Sequence, residues 1–264
     1  MSTHETSKPG YLPPLIICGM PRSGTDFHAD MIGHHPSAAI STEINNDVIK
    51  SAYELYQTLD IYTRKRPKRR HMLEHFDITV FGLWITTSFT PKNPADIIQR
   101  VYSETLLYGN KTPESEKYFE FYHQVFNPKP KFLYCLRNGF DMIESRLNMT
   151  WRKLPLSNIV SRYKNSVSKA EAILKDHPEN ILISQVDRVG ESLEERTQFA
   201  QKIFSFAGLE VEEEIKQFIL SWNVRNSRDK VKNQPEKKLL SPRQRKKLEK
   251  DKGFMAIQER YGYL

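Results

Sequence analysis

The stretch from Leu15 to Asp26 limits what this chain can fold into more than any other. It begins with apolar residues that are typical of a buried strand, and a turn bracketed by Gly19 and Gly24 follows. From Thr25 the residues are amphipathic, as in a helix. A strand that leads through a glycine-bracketed turn into a helix directs backbone N–H groups and the positive helix end at one point. The sequence therefore predicts a loop that binds a phosphate or a sulfate.

The end of this turn differs from the phosphate loop of nucleoside triphosphatases. The spacing of Gly19 and Gly24 fits G-x-x-x-x-G-K-[ST], but Thr25 and Asp26 stand where that pattern has its lysine and its magnesium-holding hydroxyl. The positive charge comes instead from Arg22, whose planar guanidinium can bind an anion through two parallel hydrogen bonds. Because no metal ligand is supplied, the loop favours transfer of a group that needs no magnesium.

The string Gly-Met-Pro-Arg-Ser-Gly-Thr at 19–25 resembles the 5′-phosphosulfate loop of sulfotransferases that use 3′-phosphoadenosine 5′-phosphosulfate (PAPS). It is closest to the branch that contains the protein-tyrosine sulfotransferases and related carbohydrate enzymes. The similarity continues through 35–43 and resumes at 110–113 and 131–146. It implies a P-loop-type α/β fold of three layers, in which helices flank a central parallel sheet. It also implies PAPS as donor, adenosine 3′,5′-bisphosphate (PAP) as product, and no metal.

The resemblance also implies a role for individual residues. Arg137 and Ser145, in the pattern R-x-G-x-x-x-x-x-S, would bind the 3′-phosphate, the group that distinguishes PAPS from ATP. Glu43 would be the catalytic base, and Lys111, in Asn-Lys-Thr-Pro, would neutralise charge on the oxygen between sulfur and phosphorus. Arg22 would act with both as a catalytic residue. The loop residues that would hold the donor are Pro21, Arg22, Ser23, Gly24, Thr25 and Asp26.

Three histidines are alternative candidates for the catalytic base. A glutamate whose pKa is raised by burial can accept the proton of an acceptor hydroxyl while sulfur moves, and Glu43 is assigned this part. His28, His34 and His35 are alternatives, because the phenol-type branch of the family uses a histidine base. By the same resemblance His35, which precedes a proline, would be structural.

Three segments depart from the family or match it loosely. Asp26 stands where the family usually has a second threonine, and its negative charge would weaken donor binding if it faced the sulfate. In the basic C-terminal part, Ser227 with Lys230 or Lys232 resembles the segment that closes over the nucleotide. The tyrosine–glutamate pair that commonly follows the late strand is absent from residues 183–187.

The charge of the chain favours anionic ligands. Forty basic residues against 32 acidic ones leave a net charge of +8, which does not choose among nucleotide, nucleic acid, sulfated glycan and membrane surface. Residues 64–70 hold six cations in seven positions and form either a solvated loop or a docking patch for an acidic acceptor. Aromatic residues do not interleave with them, which argues against nucleic acid. We therefore expect a hydroxyl-bearing acceptor, acidic if it uses this patch, and no nucleic acid; the oligomeric state is left open.

The two cysteines and the lack of a long apolar run indicate the cellular compartment in which we expect the protein. Cys18 and Cys135 each lie in an apolar, strand-like run, so we expect reduced core residues, consistent with a cytoplasmic protein. No run of apolar residues is long enough to cross a membrane. Residues 1–14 are polar and proline-rich, and we expect a flexible leader there, followed by a single sulfotransferase domain over 15–264.

Alternating strands and helices predict a parallel sheet covered on both faces, with ligands at the carboxyl ends of its strands. Arg22 and Arg137 should then lie at the same edge of the sheet. The predicted strands are 15–19, 131–136 and 181–183, and residues 38–43 are predicted as a short strand or a loop. The predicted helices are 25–34, 47–58, 95–107, 114–126, 140–151, 157–176, 191–207, 212–222 and 241–259.

Two other functions remain open on the sequence. An ATP-dependent P-loop kinase would share the strand, loop and helix, but it lacks the lysine and hydroxyl that hold ATP and magnesium. A catalytically degenerate family member would bind acidic polymers through 64–70 and 225–247, and Asp26 is compatible with that alternative.

Overall fold

The computed structural model describes residues 12–41, 43, 46–65, 106–126, 128–149, 153–221 and 239–264. These residues form one five-stranded sheet in the order β2-β3-β1-β4-β5, and every pairing in it is parallel. The strands are β1 Leu15–Gly19, β2 Ala38–Ser41, β3 Leu107–Lys111, β4 Lys131–Leu136 and β5 Ile181–Gln185. The parallel sheet confirms the predicted α/β class.

The sheet is covered on both faces, as a central strand without exposed residues requires. All five residues of β1 are buried, and they alternate between two apolar cores. Ile16 and Cys18 belong to one core, and Leu15 and Ile17 belong to the other. This alternation establishes the three layers. The helices are α1 Thr25–Gly33, α2 Asn46–Lys65, α3 Phe119–Val125, α4 Gly139–Leu147, α5 Leu156–Asp176, α6 Leu193–Ala207, α7 Glu213–Ser221, α8 Pro242–Glu249 and α9 Lys252–Arg260.

Strand β3 was not among the predicted strands. Its Gly109 and Asn110 are residues that strands usually avoid, so the local sequence does not indicate a strand. The strand exists because it fills the position between β1 and β2. A Cβ on Gly109 would lie 2.5 Å from the carbonyl oxygen of Leu15, so a glycine is required there. The helix predicted to end at residue 107 is wrong at that end, because Leu107 is in β3.

Several helix boundaries also differ from the prediction. Helix α2 continues to Lys65, and α4 ends at Leu147. The helix predicted over 114–126 begins as a 3-10 turn, Ser115–Tyr118, before α3. The helix predicted over 241–259 is two helices, because the side chain of Asp251 accepts a hydrogen bond from Phe254 N and caps the start of α9.

Some predictions fall outside the described residues. These are most of the leader, most of the basic run at 64–70, the greater part of the helix at 95–107, and Ser227, Lys230 and Lys232. The division into a leader and one domain stays a prediction. Cys18 and Cys135 are buried and free, on adjacent strands. Among the helices that the structure describes, none is long and apolar enough to cross a membrane.

Candidate active site

Three neighbouring strands bring the predicted residues to one edge of the sheet. The loop 20–24 follows β1, Lys111 ends β3 on one side of it, and Arg137 follows β4 on the other. Beyond β1 the chain first builds β2 and β3 on one side and then β4 and β5 on the other, so the strand order reverses there. Ligands of open α/β sheets bind at such a switch point, outside the carboxyl ends of the strands. The segments that carry the two arginines, from which the site was predicted, therefore lie together at this edge of the sheet.

The loop after β1 has the backbone of an anion-binding turn. Ser23 N donates to Met20 O at 3.1 Å, and Arg22 and Gly24 both have positive φ, 78° and 90°. A Cβ on Gly24 would lie 2.8 Å from the Val186 side chain, so only glycine fits there. The first hydrogen bond of α1 runs from His28 N to Gly24 O, so the preceding N–H groups have no intrahelical acceptor. These groups can bind an anion.

The hydroxyl of Ser23 also fits an anion in the loop. The Ser23 residue is only 1% exposed, and its Oγ has no hydrogen-bond partner within the described part of the chain. A buried hydroxyl without a partner is costly, since desolvation is not compensated. An oxygen of a phosphate or sulfate held by the loop would supply the missing partner.

Arg22, Ser145 and Arg137 lie in contact. Arg22 Nε donates to Ser145 Oγ at 2.9 Å, although the two residues are far apart in sequence. Arg137 Nη1 lies 3.5 Å from Arg22 O and donates to it. Two guanidinium groups and a hydroxyl therefore lie beside the loop, and they make this edge of the sheet suitable for more than one anionic group.

The side chain of Arg137 is held from behind by residues that sequence reasoning did not select. Its Nε lies 3.6 Å from Asp187 Oδ1, and Asp187 Oδ2 accepts from Asn138 N at 2.7 Å. Burial raises the pKa of Asp187, and the Asn138 hydrogen bond and the Arg137 charge oppose that effect. Asp187 lies in the short 3-10 turn Val186–Arg188 that follows β5, so its place just beyond a strand end was the available signal.

A second support connects the last helix to the start of α4. Gln258 is fully buried on α9, and its Oε1 accepts from Gly139 N at 2.8 Å. Its Nε2 donates to Tyr163 Oη at 3.1 Å. The sequence gives no signal for this role, because a glutamine in an amphipathic helix is usually exposed.

Lys111 is held by two carboxylates, those of Asp26 and Glu43. Its Nζ lies 2.6 Å from Asp26 Oδ1 and 2.7 Å from Glu43 Oε1. Burial lowers the pKa of Lys111, but the hydrogen bonds and charges of Asp26 and Glu43 outweigh burial, so that the pKa is raised overall. The lysine is therefore charged at neutral pH.

The expectation that Glu43 is buried is wrong. Its side chain is 57% exposed and contacts Lys111 at the surface of the site. The residue follows the end of β2, where the chain leaves the sheet. Its access to solvent leaves room for an acceptor hydroxyl to approach the carboxylate.

The rival histidines have structural contacts. His28 is fully buried, with Nδ1 2.8 Å from Gly24 O and Nε2 2.9 Å from Ser184 Oγ, and burial lowers its pKa to about 4. His35 Nδ1 accepts from Ser37 N at 3.0 Å, and its Nε2 contacts Glu210 O. His34 stacks on Phe218 at the surface. None of these contacts involves the predicted site residues around Lys111.

A buried carboxyl lies beneath the loop and was also missed. Glu116 is fully buried, and its two oxygens accept from Gly19 N at 3.3 Å and from Ser166 Oγ at 2.6 Å. Burial raises the pKa of Glu116, and it also raises the pKa of Cys18 nearby. Glu116 connects the end of β1 to α5, so it supports the loop from below.

Comparison with known proteins is consistent with this geometry. The family model described as "Sulfotransferase family" matches residues 13–213, which is most of the chain. The chain belongs to this family. The match covers the loop, the Lys111 segment and the Arg137 segment, so every described candidate residue of this sulfotransferase falls inside it. A comparison with curated protein sequences gave no match.

Solved structures of several sulfotransferases resemble the chain at low identity. STF9 of Mycobacterium avium is 14% identical, with a TM-score of 0.47 over 84% of this chain and 70% of that one. A sulfotransferase domain from the curacin biosynthetic pathway is 15% identical, with a TM-score of 0.49 over 79% and 77%. Mouse SULT7A1, solved with PAP, is 14% identical, with a TM-score of 0.43 over 78% and 64%.

Proposed function

We propose that this sulfotransferase transfers a sulfuryl group from PAPS to the hydroxyl group of an acceptor. The observation that carries the proposal is the contact of Arg22, Ser145 and Arg137 beside a loop whose Ser23 hydroxyl has no described partner. PAPS carries anionic groups at both its 5′ and 3′ ends. A site with one set of anion-binding groups on the loop and another on α4 suits such a donor better than a single phosphate.

The loop would bind the 5′ end of the donor, and Arg137 with Ser145 of α4 would bind the 3′ end. Backbone N–H groups at the start of α1, the Ser23 hydroxyl and the Arg22 guanidinium are the candidates for the first role. Arg137 and Ser145 are the candidates for the second. Arg22 would have to exchange its hydrogen bond to Ser145 for one to the donor, which frees the Ser145 hydroxyl for the 3′-phosphate.

The transfer step needs a base and a neutralised leaving group. The acceptor oxygen forms a bond to sulfur while the bond from sulfur to the bridging oxygen breaks, and the electron pair stays on the 5′-phosphate of PAP. In the proposed mechanism Glu43 accepts the hydroxyl proton, and the Lys111 ammonium offsets the charge that develops on the bridging oxygen. Both side chains already meet, with 2.7 Å between Lys111 Nζ and Glu43 Oε1.

The acceptor is proposed only as a class. A hydroxyl on a carbohydrate, a tyrosyl peptide or a small-molecule alcohol would all satisfy the chemistry of Glu43. The basic residues at 64–70 would favour an acidic acceptor. A screen of such acceptors with ³⁵S-labelled PAPS measures transfer directly and identifies the class.

Binding of PAP tests the donor assignment. Calorimetry with the unmodified protein should show binding, and Arg137→Ala and Ser145→Ala should each weaken it by about tenfold or more, because each removes a hydrogen bond to a charged group. Arg260→Ala removes an equal charge where the guanidinium pairs with Glu171, and it should leave PAP affinity unchanged. If PAP binding remains equally tight in Arg137→Ala and in Ser145→Ala, the 3′-phosphate assignment is contradicted.

Two other results would replace the proposal. Magnesium-dependent turnover of ATP would indicate a P-loop kinase. PAP binding without sulfuryl transfer to any acceptor class, together with salt-sensitive retention on heparin, would indicate a degenerate member that binds acidic polymers.

A further inference from the structure

Asp26 makes a contact that its sequence position does not suggest. It is the second residue of α1, directly after the loop that the proposed function assigns to the donor. Its Oδ1 lies 2.6 Å from Lys111 Nζ, the shortest contact that the ammonium makes to either carboxylate. The Lys111 side chain is 9% exposed, whereas that of Asp26 is 67% exposed. The ammonium is therefore buried, while the carboxylate that binds it reaches solvent.

The position of Asp26 is one that favours negative charge. A carboxylate in the first turn of a helix is stabilised by the free N–H groups and the positive end of the helix dipole. The same features attract the anionic group of a ligand. Asp26 thus supplies an internal anion at the place where an external one would bind, and its carboxylate already holds the buried cation that such a ligand would use.

The local charge affects how an anionic ligand would bind beside Lys111. Asp26 and Glu43 place two negative charges within hydrogen-bond distance of the one positive charge of Lys111. An incoming anion meets a cluster that is net negative, although the loop itself is cationic. Either the Lys111 ammonium leaves Asp26 when the anion binds, or the anion binds against the repulsion of that carboxylate.

We propose that Asp26 is a positioning residue that holds the Lys111 ammonium at the loop and sets how tightly the donor binds. The inference rests on the proposed function and specifies how its donor site is regulated. Asp26 shares the Lys111 ammonium with Glu43, so the two carboxylates divide its charge between them. The bound donor competes with Asp26 for the ammonium, and this competition weakens donor binding. The contact with Asp26 also keeps Lys111 in position before the donor arrives.

Neutralising Asp26 should therefore change binding and turnover in opposite directions. In Asp26→Asn the repulsion is lost, and PAP should bind about tenfold more tightly, a value that already allows for solvent screening of an exposed carboxylate. The KM for PAPS should fall similarly. Lys111 then pairs with Glu43 alone, and this ion pair hinders Glu43 from accepting the proton of the acceptor hydroxyl. We therefore expect kcat to fall about tenfold. A residue with only a structural role would not lower KM and kcat together.

The experiment compares four proteins by PAP calorimetry and by initial rates with labelled PAPS. These are the unmodified chain, Asp26→Asn, Asp26→Thr and the control Asp30→Asn, which removes the same charge one turn further along α1. Circular dichroism confirms folding, and Asp26→Thr provides a second test if the asparagine variant does not fold. Both Asp26 variants should bind PAP about tenfold more tightly than Asp30→Asn. The size of this effect should decrease at high ionic strength.

The results separate the inference from the proposed function. If the unmodified chain and all variants fail to bind PAP, the donor assignment is wrong and the inference falls with it. If the unmodified chain binds PAP and the Asp26 variants bind no more tightly than Asp30→Asn, the proposed function stands and the inference is overturned. Tighter PAP binding with an unchanged kcat also overturns the positioning role.

Discussion

Single residues at the site adopt conformations that a donor would explain. Arg22 has φ 78°, and a non-glycine residue in this region costs on the order of 1 kcal/mol. The hydrogen bond from Ser23 N to Met20 O closes the turn around Arg22, and the guanidinium donates to Ser145 Oγ. The hydrogen bond to Ser145 keeps the cation beside the loop, where it can exchange that contact for one to an arriving anion.

The proposed base gives the most direct test at this scale. Glu43→Gln keeps the shape of the side chain and removes its ability to accept a proton. We expect kcat to fall by about 10² to 10⁴, the usual contribution of a general base, while PAP affinity does not fall. Initial rates with saturating donor and PAP calorimetry measure the two effects separately.

The control for this variant is another exposed glutamate. Glu54→Gln on α2 lies beside Lys50 and should leave kcat unchanged. A kcat within a few-fold of the unmodified enzyme in Glu43→Gln would mean that another group takes the proton. His28 is then the least suitable substitute, because burial keeps it neutral and away from solvent.

Short motifs are visible in the sequence, whereas contacts between distant residues are not. The short strings around Arg22, Lys111 and Arg137 indicate anion binding because their chemistry is local. The hydrogen bond from Arg22 to Ser145 joins residues on different elements, and no spacing in the sequence indicates it. The exposure of Glu43 was predicted wrongly for the same reason, since burial depends on which segments pack around a side chain.

At the scale of elements, α9 is part of the support for the candidate site. Gln258→Ala removes the acceptor for Gly139 N, and the space around this glycine is filled by Gln258 and Phe254. A buried N–H left without a partner costs about 1–3 kcal/mol, so the free energy of unfolding should fall by that amount. Because Gly139 begins α4, Arg137 should also be less well held and PAP affinity should fall several-fold.

Urea unfolding and PAP calorimetry measure the two consequences of Gln258→Ala. Glu259→Ala, the adjacent exposed residue on the same helix, should change neither quantity by more than the error of measurement. If stability falls while PAP affinity is unchanged, α9 supports the fold and not the site.

Elements were predictable where their pattern is local. Strands β1 and β4 are apolar runs, and their bounds agree with the prediction. Strand β3 contains Gly109 and Asn110 and exists only because two other strands flank it. The break between α8 and α9 depends on the cap supplied by Asp251, which periodicity does not detect.

At the scale of the whole molecule, strand order decides why the site forms where it does. The sequence predicts a parallel sheet with loops at the carboxyl edge. It does not give the order β2-β3-β1-β4-β5, because pairing between distant strands leaves no local signal. That order sets Lys111 and Arg137 on opposite sides of the loop, and it makes one site from three separate segments.

The stability of the whole molecule should depend on pH through His28. This side chain joins three elements, since it contacts Gly24 at the start of α1, Cys135 in β4 and Ser184 in β5. Burial lowers its pKa in the folded state from 6.5 to about 4. Above pH 6.5 the ring is neutral in both states and contributes no pH dependence.

As pH falls from 6.5 towards 4, the unfolded chain binds a proton at His28 that the folded chain does not. The free energy of unfolding should therefore fall through this window, by at most about 3 kcal/mol, and become level below pH 4 for this group. Urea unfolding at several pH values measures the slope.

Comparison of variants isolates the contribution of His28, because other groups also titrate in this range. Burial raises the pKa of Glu116, and a raised carboxyl pKa acts in the opposite direction, adding stability as pH falls. His28→Gln cannot titrate, so its stability should fall less between pH 6.5 and 4 than that of the unmodified chain. His34→Gln, at an exposed histidine stacked on Phe218, should keep the original slope. Equal slopes in all three proteins would mean that His28 binds its proton in the folded state, and the packing that holds the loop to β5 would then have to open in acid.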